Sequence, residues 1–284
     1  MAQRTILVAE HCGFCNGVRN ALAAVQRKLG SGSGRKLYLL KGLIHNNSVN
    51  AMLKEAGCVF VDDVRQIPPG SEVVFGAHGV SPEVMECALK NDLHVADTTC
   101  PVVAHLQSAA AAVPPQKELV IAGFPGHPEL EGVLAHAKTE KVFVIGTKEE
   151  IALLPQLDSP VFLTQTTLNH AEAEELKKAF KTRFPNAHTP DTLCPASRLR
   201  QHSVEELAPK CDLFIVAGSP QSSNANRLRE TAEKCGTKAL LLDSPDEITP
   251  QLLHGVTTIG LSAAASTPQS QITALLQRLE EIKA

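Results

Sequence analysis

Tryptophan is absent from the 284-residue chain and tyrosine occurs once, so aromatic platforms for stacking nucleic-acid bases are in short supply. An excess of charge is missing too. The 27 Lys and Arg stand against 30 Asp and Glu, a formal net charge of −3. Such a chain has no bulk attraction for nucleic acid or an anionic membrane, and any anionic ligand must be gripped by local groups. No apolar run approaches the roughly 18 residues that span a bilayer. The opening "MAQRTILVAEHC" holds too short an apolar stretch for a signal peptide. Neither nucleic acid nor membrane is an expected partner, and the expected location is the cytoplasm.

Cysteine, by contrast, is plentiful, with eight in the chain. In a reducing compartment these are expected as thiols, metal ligands or catalytic groups rather than disulfides. Only Cys12 and Cys15 form a C-x-x-C pair. A closed structural zinc site presents two tight ligand pairs, and the compact spacing of ferredoxin cluster motifs does not occur.

The informative feature is a repeat. "DTTC" at Asp97–Cys100 returns as "DTLC" at Asp191–Cys194, an interval of 194 − 100 = 94 residues. Counting back from Cys100 to Cys15 gives 85, and 90 residues follow Cys194. Three cysteines thus mark three units of similar length. About thirty residues after each marker, an apolar run ends in a polar loop: "LYLLKGLIHNN", "LVIAGFPGHPE" and "LFIVAGSPQSSN". A second set follows in "CVFVDDVRQIPPG", "KVFVIGTKEEIALLP" and "ALLLDSPDEITP", and a third in "EVVFGAHGVSPE", "PVFLTQTTLNH" and "TTIGLSAAASTPQ".

Short runs rich in Val, Ile and Leu are the pattern of strands buried on both faces. Between them lie helical patterns. "SPEVMECALK" and "STPQSQITALLQRLEEIK" open with Ser or Thr before Pro, and Pro128 is placed for the first turn of "HPELEGVLAHA". Strands alternating with helices imply an α/β fold with mainly parallel sheets, whose ligands gather at the carboxyl ends of the strands. The expected organisation is a first unit over 16–99, a second over 100–191 and a third over 192–284, with 1–15 as an N-terminal strand and loop. Arranged with approximate threefold symmetry, the units bring three cysteines to one centre. The competing reading is three βα units in tandem with unrelated loops.

Three thiolates with one open position suit a catalytic zinc or an iron–sulfur cluster with one exposed iron. Only one of Cys12 and Cys15 can match the repeat, and Cys15, just before a helical run, is the better ligand. Cys58 and Cys211 at strand starts, and Cys87 and Cys235 in helical segments, read as packing residues. "GSGSG" at Gly30–Gly34 follows the helical run "RNALAAVQRKL", which makes it a linker or turn rather than a dinucleotide loop.

"GFCNGV", "LIHN", "AHGVS", "DTTCP", "GHPE", "TQTTL", "DTLC", "GSPQSSNANRL" and "AAAST" occur in the order found in the 4-hydroxy-3-methylbut-2-enyl diphosphate reductases. The chain resembles that family over nearly its whole length. The resemblance implies a trefoil of three α/β units around a central [4Fe–4S] cluster held by Cys15, Cys100 and Cys194. It implies an iron–sulfur oxidoreductase that removes the allylic hydroxyl of (E)-4-hydroxy-3-methylbut-2-enyl diphosphate, giving isopentenyl and dimethylallyl diphosphates, with electrons from a ferredoxin or flavodoxin-type donor.

By the same resemblance Glu129 is the proton-delivering acid or the start of its relay, since hydroxide leaves poorly unless protonated. Thr166 hydrogen-bonds the hydroxyl and Glu129, and His127 is a donor or relay. His45, His78, Thr167, Ser222, Ser223, Asn224 and Ser266 fall at substrate-binding positions. His11, His94, His105, His136, His170, His188, His202 and His254 match none and read as surface or packing residues. Departures from the family pattern are Cys12, Ala264 where glycine is frequent, and an end at "EEIKA" without the extension of some members. Two other readings are a reductase of a different allylic substrate and a non-catalytic iron–sulfur carrier or sensor; the carrier has no use for Glu129, Thr166 or an anion pocket.

Overall fold

All nine apolar runs of the repeat form strands in the structure, a computed structural model describing residues 4–32 and 34–282. The chain opens with β1 (Thr5–Val8), α1 (Asn16–Gly30), β2 (Leu37–Leu40), α2 (Asn47–Glu55), β3 (Val59–Val61), β4 (Glu72–Phe75), α3 (Pro82–Lys90) and β5 (His94–Asp97). It continues with α4 (Pro101–Ala111), β6 (Leu119–Ala122), α5 (Pro128–His136), β7 (Val142–Ile145), α6 (Lys148–Leu153), β8 (Val161–Thr164) and α7 (His170–Arg183). The last stretch holds α8 (Pro195–Leu207), β9 (Leu213–Ala217), α9 (Ser223–Lys234), β10 (Ala239–Leu242), β11 (Thr258–Ala263) and α10 (Gln269–Glu281).

The fold is α/β with three parallel sheets, ordered β1-β11-β9-β10, β5-β4-β2-β3 and β8-β6-β7. The same internal order recurs. The first apolar run after each marker cysteine is the inner strand, flanked on one side by the second run and on the other by the third. The inner strands are buried on both faces. In β6, Val120 and Ala122 join one apolar cluster with Phe162, Leu168 and Phe180, while Leu119 and Ile121 join another with Leu106, Leu130 and Leu163. Burying each such side chain contributes about 1.5–3 kcal/mol, which is why these strands lack the alternation of a half-exposed sheet.

The fourth position of each sheet leads into a marker cysteine. β1 lies beside β11, β5 lies beside β4, and β8 has a single parallel bridge from Val161 to His188. β5 was not expected from the apolar pattern, because "HVAD" exposes His94 and Asp97 at a sheet edge.

Helix starts agree with the cap signals in two cases. Ser81 caps α3 ahead of Pro82, and His127 caps α5 ahead of Pro128. At α10, Pro268 itself takes the cap position, because the Thr267 hydroxyl donates to Ala217 O at 2.8 Å instead of capping the helix. Lys283 of the expected helix lies outside the described residues, as does Ser33 of the Gly30–Gly34 segment, whose Gly30 is the last residue of α1.

The chain divides into two compact units. One takes the residues up to Arg19, Ile44–Met52 and everything from Pro195; the other takes Asn20–Leu43 and Leu53–Cys194. The sheet containing β9 belongs to the first unit and the other two sheets to the second. Among the described residues, no helix is long and apolar enough to cross a membrane.

Candidate active site

The three marker cysteines share one backbone arrangement. Each follows a sheet edge, immediately precedes a helix, and donates its N–H to the carbonyl two residues beyond the end of the neighbouring strand. The pairs are Cys15 to Ala265 O at 3.2 Å, Cys100 to Ala77 O at 3.0 Å and Cys194 to Thr166 O at 2.9 Å, beyond β11, β4 and β8.

The D-T-x-C motif supplies the local ties. The Thr98 hydroxyl donates to Phe75 O at 2.5 Å and the Thr192 hydroxyl to Thr164 O at 2.8 Å. Asp97 and Asp191 each accept the N–H two residues on, from Thr99 and Leu193, the Asx turn that these side chains favour. In this frame Cys12 stands where the aspartates stand and Gly13 where the threonines stand. Gly13 has φ +75° and donates its N–H to Ala263 O at 3.2 Å. Cys12 packs against the apolar cluster around Ile272.

All eight cysteines are thiols in the structure. Burial pushes the Cys12, Cys58, Cys211 and Cys235 thiols up, which disfavours the thiolate form a metal requires. Cys235 sits one residue beyond α9 as its C-cap rather than within it, and the Cys211 thiol donates to Leu207 O. Cys15, Cys100 and Cys194 are half-buried, and each opens a helix, where a negative charge is favoured. Among the described residues no three His, Cys, Asp or Glu side chains gather as for a single metal ion. A cubane carries its thiolates on separate irons and needs no such convergence. Soft, half-buried sulfurs of this kind are the donor type that an iron–sulfur cluster takes.

Within the second unit, the loop ends of β4, β6 and β8 carry the expected acid and its partners. Glu129, the second residue of α5, is 1% exposed. Its Oε1 accepts the Thr166 N–H at 2.7 Å and its Oε2 accepts the Thr166 hydroxyl at 2.8 Å. Thr166 is 4% exposed, and its carbonyl holds Cys194. The acid and one marker cysteine therefore share a single anchoring residue.

Burial pushes the Glu129 carboxyl above the usual carboxylate range, against the two Thr166 hydrogen bonds that pull it down. His127 accepts the Glu129 N–H on Nδ1 at 3.2 Å, so a neutral ring carries its proton on Nε2. Its ring lies edge-on to that of His78, with centroids 6.0 Å apart. Gln165, not expected as a site residue, is fully buried. It accepts the Phe124 N–H at 3.0 Å and donates to the Thr167 hydroxyl at 3.2 Å, tying the loop before α5 to the loop after β8.

The raised Glu129 pKa has a stability consequence with a definite sign. Above the ordinary value of 4.5 the unfolded chain has released this proton while the folded chain keeps it, so folded stability falls as pH rises through that window. Glu129→Gln is expected to gain in Tm over the parent steadily as pH is raised from acid to neutral. Scanning calorimetry of the two proteins across that range checks this, and a difference independent of pH would remove the raised carboxyl.

The remaining expected residues lie in the first unit. Ser222 is the N-cap of α9, its Oγ accepting the Ala225 N–H at 3.3 Å, with Ser223 and Asn224 as the first two helical residues. Asn224 is 8% exposed; its Oδ1 accepts from the Ser197 hydroxyl, and its buried Nδ2 has no hydrogen-bond partner among the described residues. A buried amide donor left unpaired costs about 1–3 kcal/mol, at a helix N-terminus suited to anions. The Ser266 hydroxyl donates to His45 O at 3.1 Å, and burial pushes the His45 ring down in pKa. The next residue, Asn46, is fully buried and caps α2, and its Nδ2 donates to Gln271 Oε1 at 3.1 Å. Ala264 is fully buried with its N–H on Ala217 O, so its methyl packs into the core beneath the loop that bears Ser266.

Of the other histidines, His94, His105, His188, His202 and His254 are exposed, and His136 Nδ1 lies 2.7 Å from Gly132 O within α5. His11 and His170 are half-buried.

A family model described as LytB protein matches residues 6–280. A curated relative from Bordetella pertussis, named 4-hydroxy-3-methylbut-2-enyl diphosphate reductase, is 39% identical over 289 residues, covering 100% of this chain and 88% of the relative. One of the same name from Ralstonia nicotianae is 37% identical over 288 residues with the same coverage. The solved E-1-hydroxy-2-methyl-but-2-enyl-4-diphosphate reductase of Plasmodium falciparum superposes with a TM-score of 0.91 at 28% identity, covering 97% of this chain and 87% of that one. A second, described as (E)-4-hydroxy-3-methyl-but-2-enyl diphosphate reductase, the terminal enzyme of the non-mevalonate pathway, gives 0.70 at 31% identity over 98% and 100%. The chain belongs to the LytB protein family, in which these relatives are diphosphate reductases.

Proposed function

We propose that the chain catalyses reductive dehydroxylation of (E)-4-hydroxy-3-methylbut-2-enyl diphosphate, consuming two electrons and two protons and releasing isopentenyl or dimethylallyl diphosphate and water. The observation that carries this reading is the Glu129 carboxyl, fully buried and held on both oxygens by Thr166. Burial keeps it protonated to a higher pH than an ordinary glutamate, as an acid that protonates a leaving hydroxyl requires. With Glu129 protonated the bond at Oε2 reverses, the carboxyl donating to the Thr166 oxygen, and Thr166 can then pass its own hydroxyl proton to the substrate oxygen and recover one from Glu129. His127 stands at the start of α5 with Nε2 as its donor, and His78 lies beside it.

Cys15, Cys100 and Cys194 are the residues that hold a [4Fe–4S] cluster in this reading, Cys15 from the N-terminal loop of 1–15, Cys100 from the unit 100–191 and Cys194 from the unit 192–284. When bound, the cluster supplies the electrons and an iron of Lewis-acid character that weakens the C–O bond. Its reductant is a ferredoxin or flavodoxin-type donor, in a cytoplasm that keeps the thiols reduced. Ser222, Ser223, Asn224 and Ser266 with His45, His78 and Thr167 take the diphosphate end.

The unpaired Nδ2 of Asn224 supports that assignment. Asn224→Asp keeps the acceptor for Ser197 and replaces the free donor with a negative charge. It is expected to raise KM at least tenfold to a hundredfold, the equivalent of a lost hydrogen bond to a charged group of about 1.5–3 kcal/mol, in steady-state assays with a reduced dye.

Mössbauer spectra of anaerobic, iron-57-labelled protein with and without the substrate test the whole reading. A cubane with one distinct iron whose signal changes on adding the diphosphate is expected. Equivalent irons with no response favour an electron carrier and overturn it.

A further inference from the structure

Two of the marker loops are fastened by an Asp and a Thr of their own, whereas Cys12 and Gly13 supply neither carboxylate nor hydroxyl ahead of Cys15. The hold comes from elsewhere. Arg200 of α8 is 6% exposed, and arginine at that depth is rare unless its donors are used. Its Nη2 donates to Gly13 O at 2.6 Å and its Nη1 to Ala196 O at 2.8 Å. Gly13 is two residues before Cys15, and Ala196 is two residues after Cys194.

Gly13, whose carbonyl accepts from the guanidinium, has a positive φ. A side chain there meets both that backbone requirement and Ile272 Cδ1 at 3.0 Å. We propose that Arg200 is a positioning residue for the cysteine ligands: its fork replaces the missing Asp–Thr fastening of the Cys15 loop and sets a permanent positive charge beside the ligand positions. This rests on the cluster assignment for its electrostatic half only.

The consequences separate by chemistry. The fork geometry belongs to arginine alone, since a lysine cannot grip two carbonyls in one plane, while the charge is common to both. A cationic neighbour stabilises the reduced, more negative state of a cluster and so raises its potential. The proximity of the charge is already felt at Cys12, whose thiol Arg200 draws down against the larger effect of burial.

Arg200→Lys and Arg200→Gln of the full chain test it. In apoprotein, the rate of Cys15 alkylation by iodoacetamide, resolved by peptide mass spectrometry, is expected to rise about tenfold in both variants as the loop opens more often. Buried Cys58 is the internal control for global unfolding, and its rate stays at the parent value. In cluster-loaded protein, the midpoint potential from an EPR-monitored titration falls by about 59 mV in Arg200→Gln, a tenfold shift for one electron, and stays near the parent in Arg200→Lys. Parent-like Cys15 alkylation in both variants overturns the fastening role, and an unmoved potential in Arg200→Gln overturns the electrostatic one. Accelerated alkylation in both variants, with a parent chain that takes up no iron, leaves Arg200 as the loop fastener while removing the cluster assignment.

Discussion

Glu129→Gln is expected to lower kcat by about 10²- to 10⁴-fold, the usual contribution of a positioned acid, with its cluster content unchanged. Glutamine has the same shape and keeps a carbonyl to accept the Thr166 N–H, so the loop that anchors Cys194 through Thr166 O stays in place. What disappears is the transferable proton. The loss therefore falls on kcat and kcat/KM together, while KM changes little, because the carboxyl acts on the leaving oxygen rather than on the diphosphate. Thr166→Val belongs to the same experiment. It retains the backbone N–H to Glu129 Oε1 but removes the hydroxyl at Oε2, and a comparable fall in kcat is expected if the proton passes through that hydroxyl. Steady-state kinetics with iron counted in each preparation decide it. A Glu129→Gln enzyme turning over at the parent rate would remove the acid from the mechanism.

Much of the frame was legible because burial on both faces leaves so plain a mark. Leu119–Ala122 and Leu213–Ala217 are buried throughout, and no charged residue interrupts them. The edge strand His94–Asp97 left no such mark, since both its end residues are exposed and the two between them are only half-buried. The "DTTC" and "DTLC" repeat was visible as letters, but its meaning was conformational. Asp makes the turn, Thr fastens the strand end, and the cysteine N–H reaches two residues past that end. Cys15 has the last of these without the first two, which is why composition alone could not tell it from Cys12. The residues that escaped sequence reading, Gln165, Asn46 and Arg200, are polar side chains buried to serve groups far along the chain, a backbone N–H for Gln165, a backbone carbonyl for Arg200 and the Gln271 side chain for Asn46. Gln165 reaches Phe124 across 41 positions and Arg200 reaches Gly13 across 187, distances at which no local pattern carries a signal.

Serine at Cys100, at Cys194 or at Cys15 is expected to abolish cluster retention and, with it, turnover, whereas Cys12→Ser keeps both. The contrast follows from the shared geometry. Each marker cysteine is fixed by its own backbone N–H, on Ala77, Thr166 or Ala265, so the substitution leaves the loop in place and changes only the donor atom. A serine hydroxyl is harder and far less acidic than a thiol, and is a poor substitute for it on iron–sulfur centres. Cys12 packs among apolar neighbours in the place that aspartates fill at the other two loops, and burial pushes its thiol up rather than toward a ligand's charge. Iron and acid-labile sulfide per chain, measured after anaerobic reconstitution of all four variants, separate the two cases. Far-UV circular dichroism confirms that the apoproteins keep their helices. Retention of a full cluster by Cys15→Ser together with its loss from Cys12→Ser would reverse the assignment within the C-x-x-C pair. It would also mean that the backbone match between Cys15, Cys100 and Cys194 has no bearing on which sulfur the metal takes.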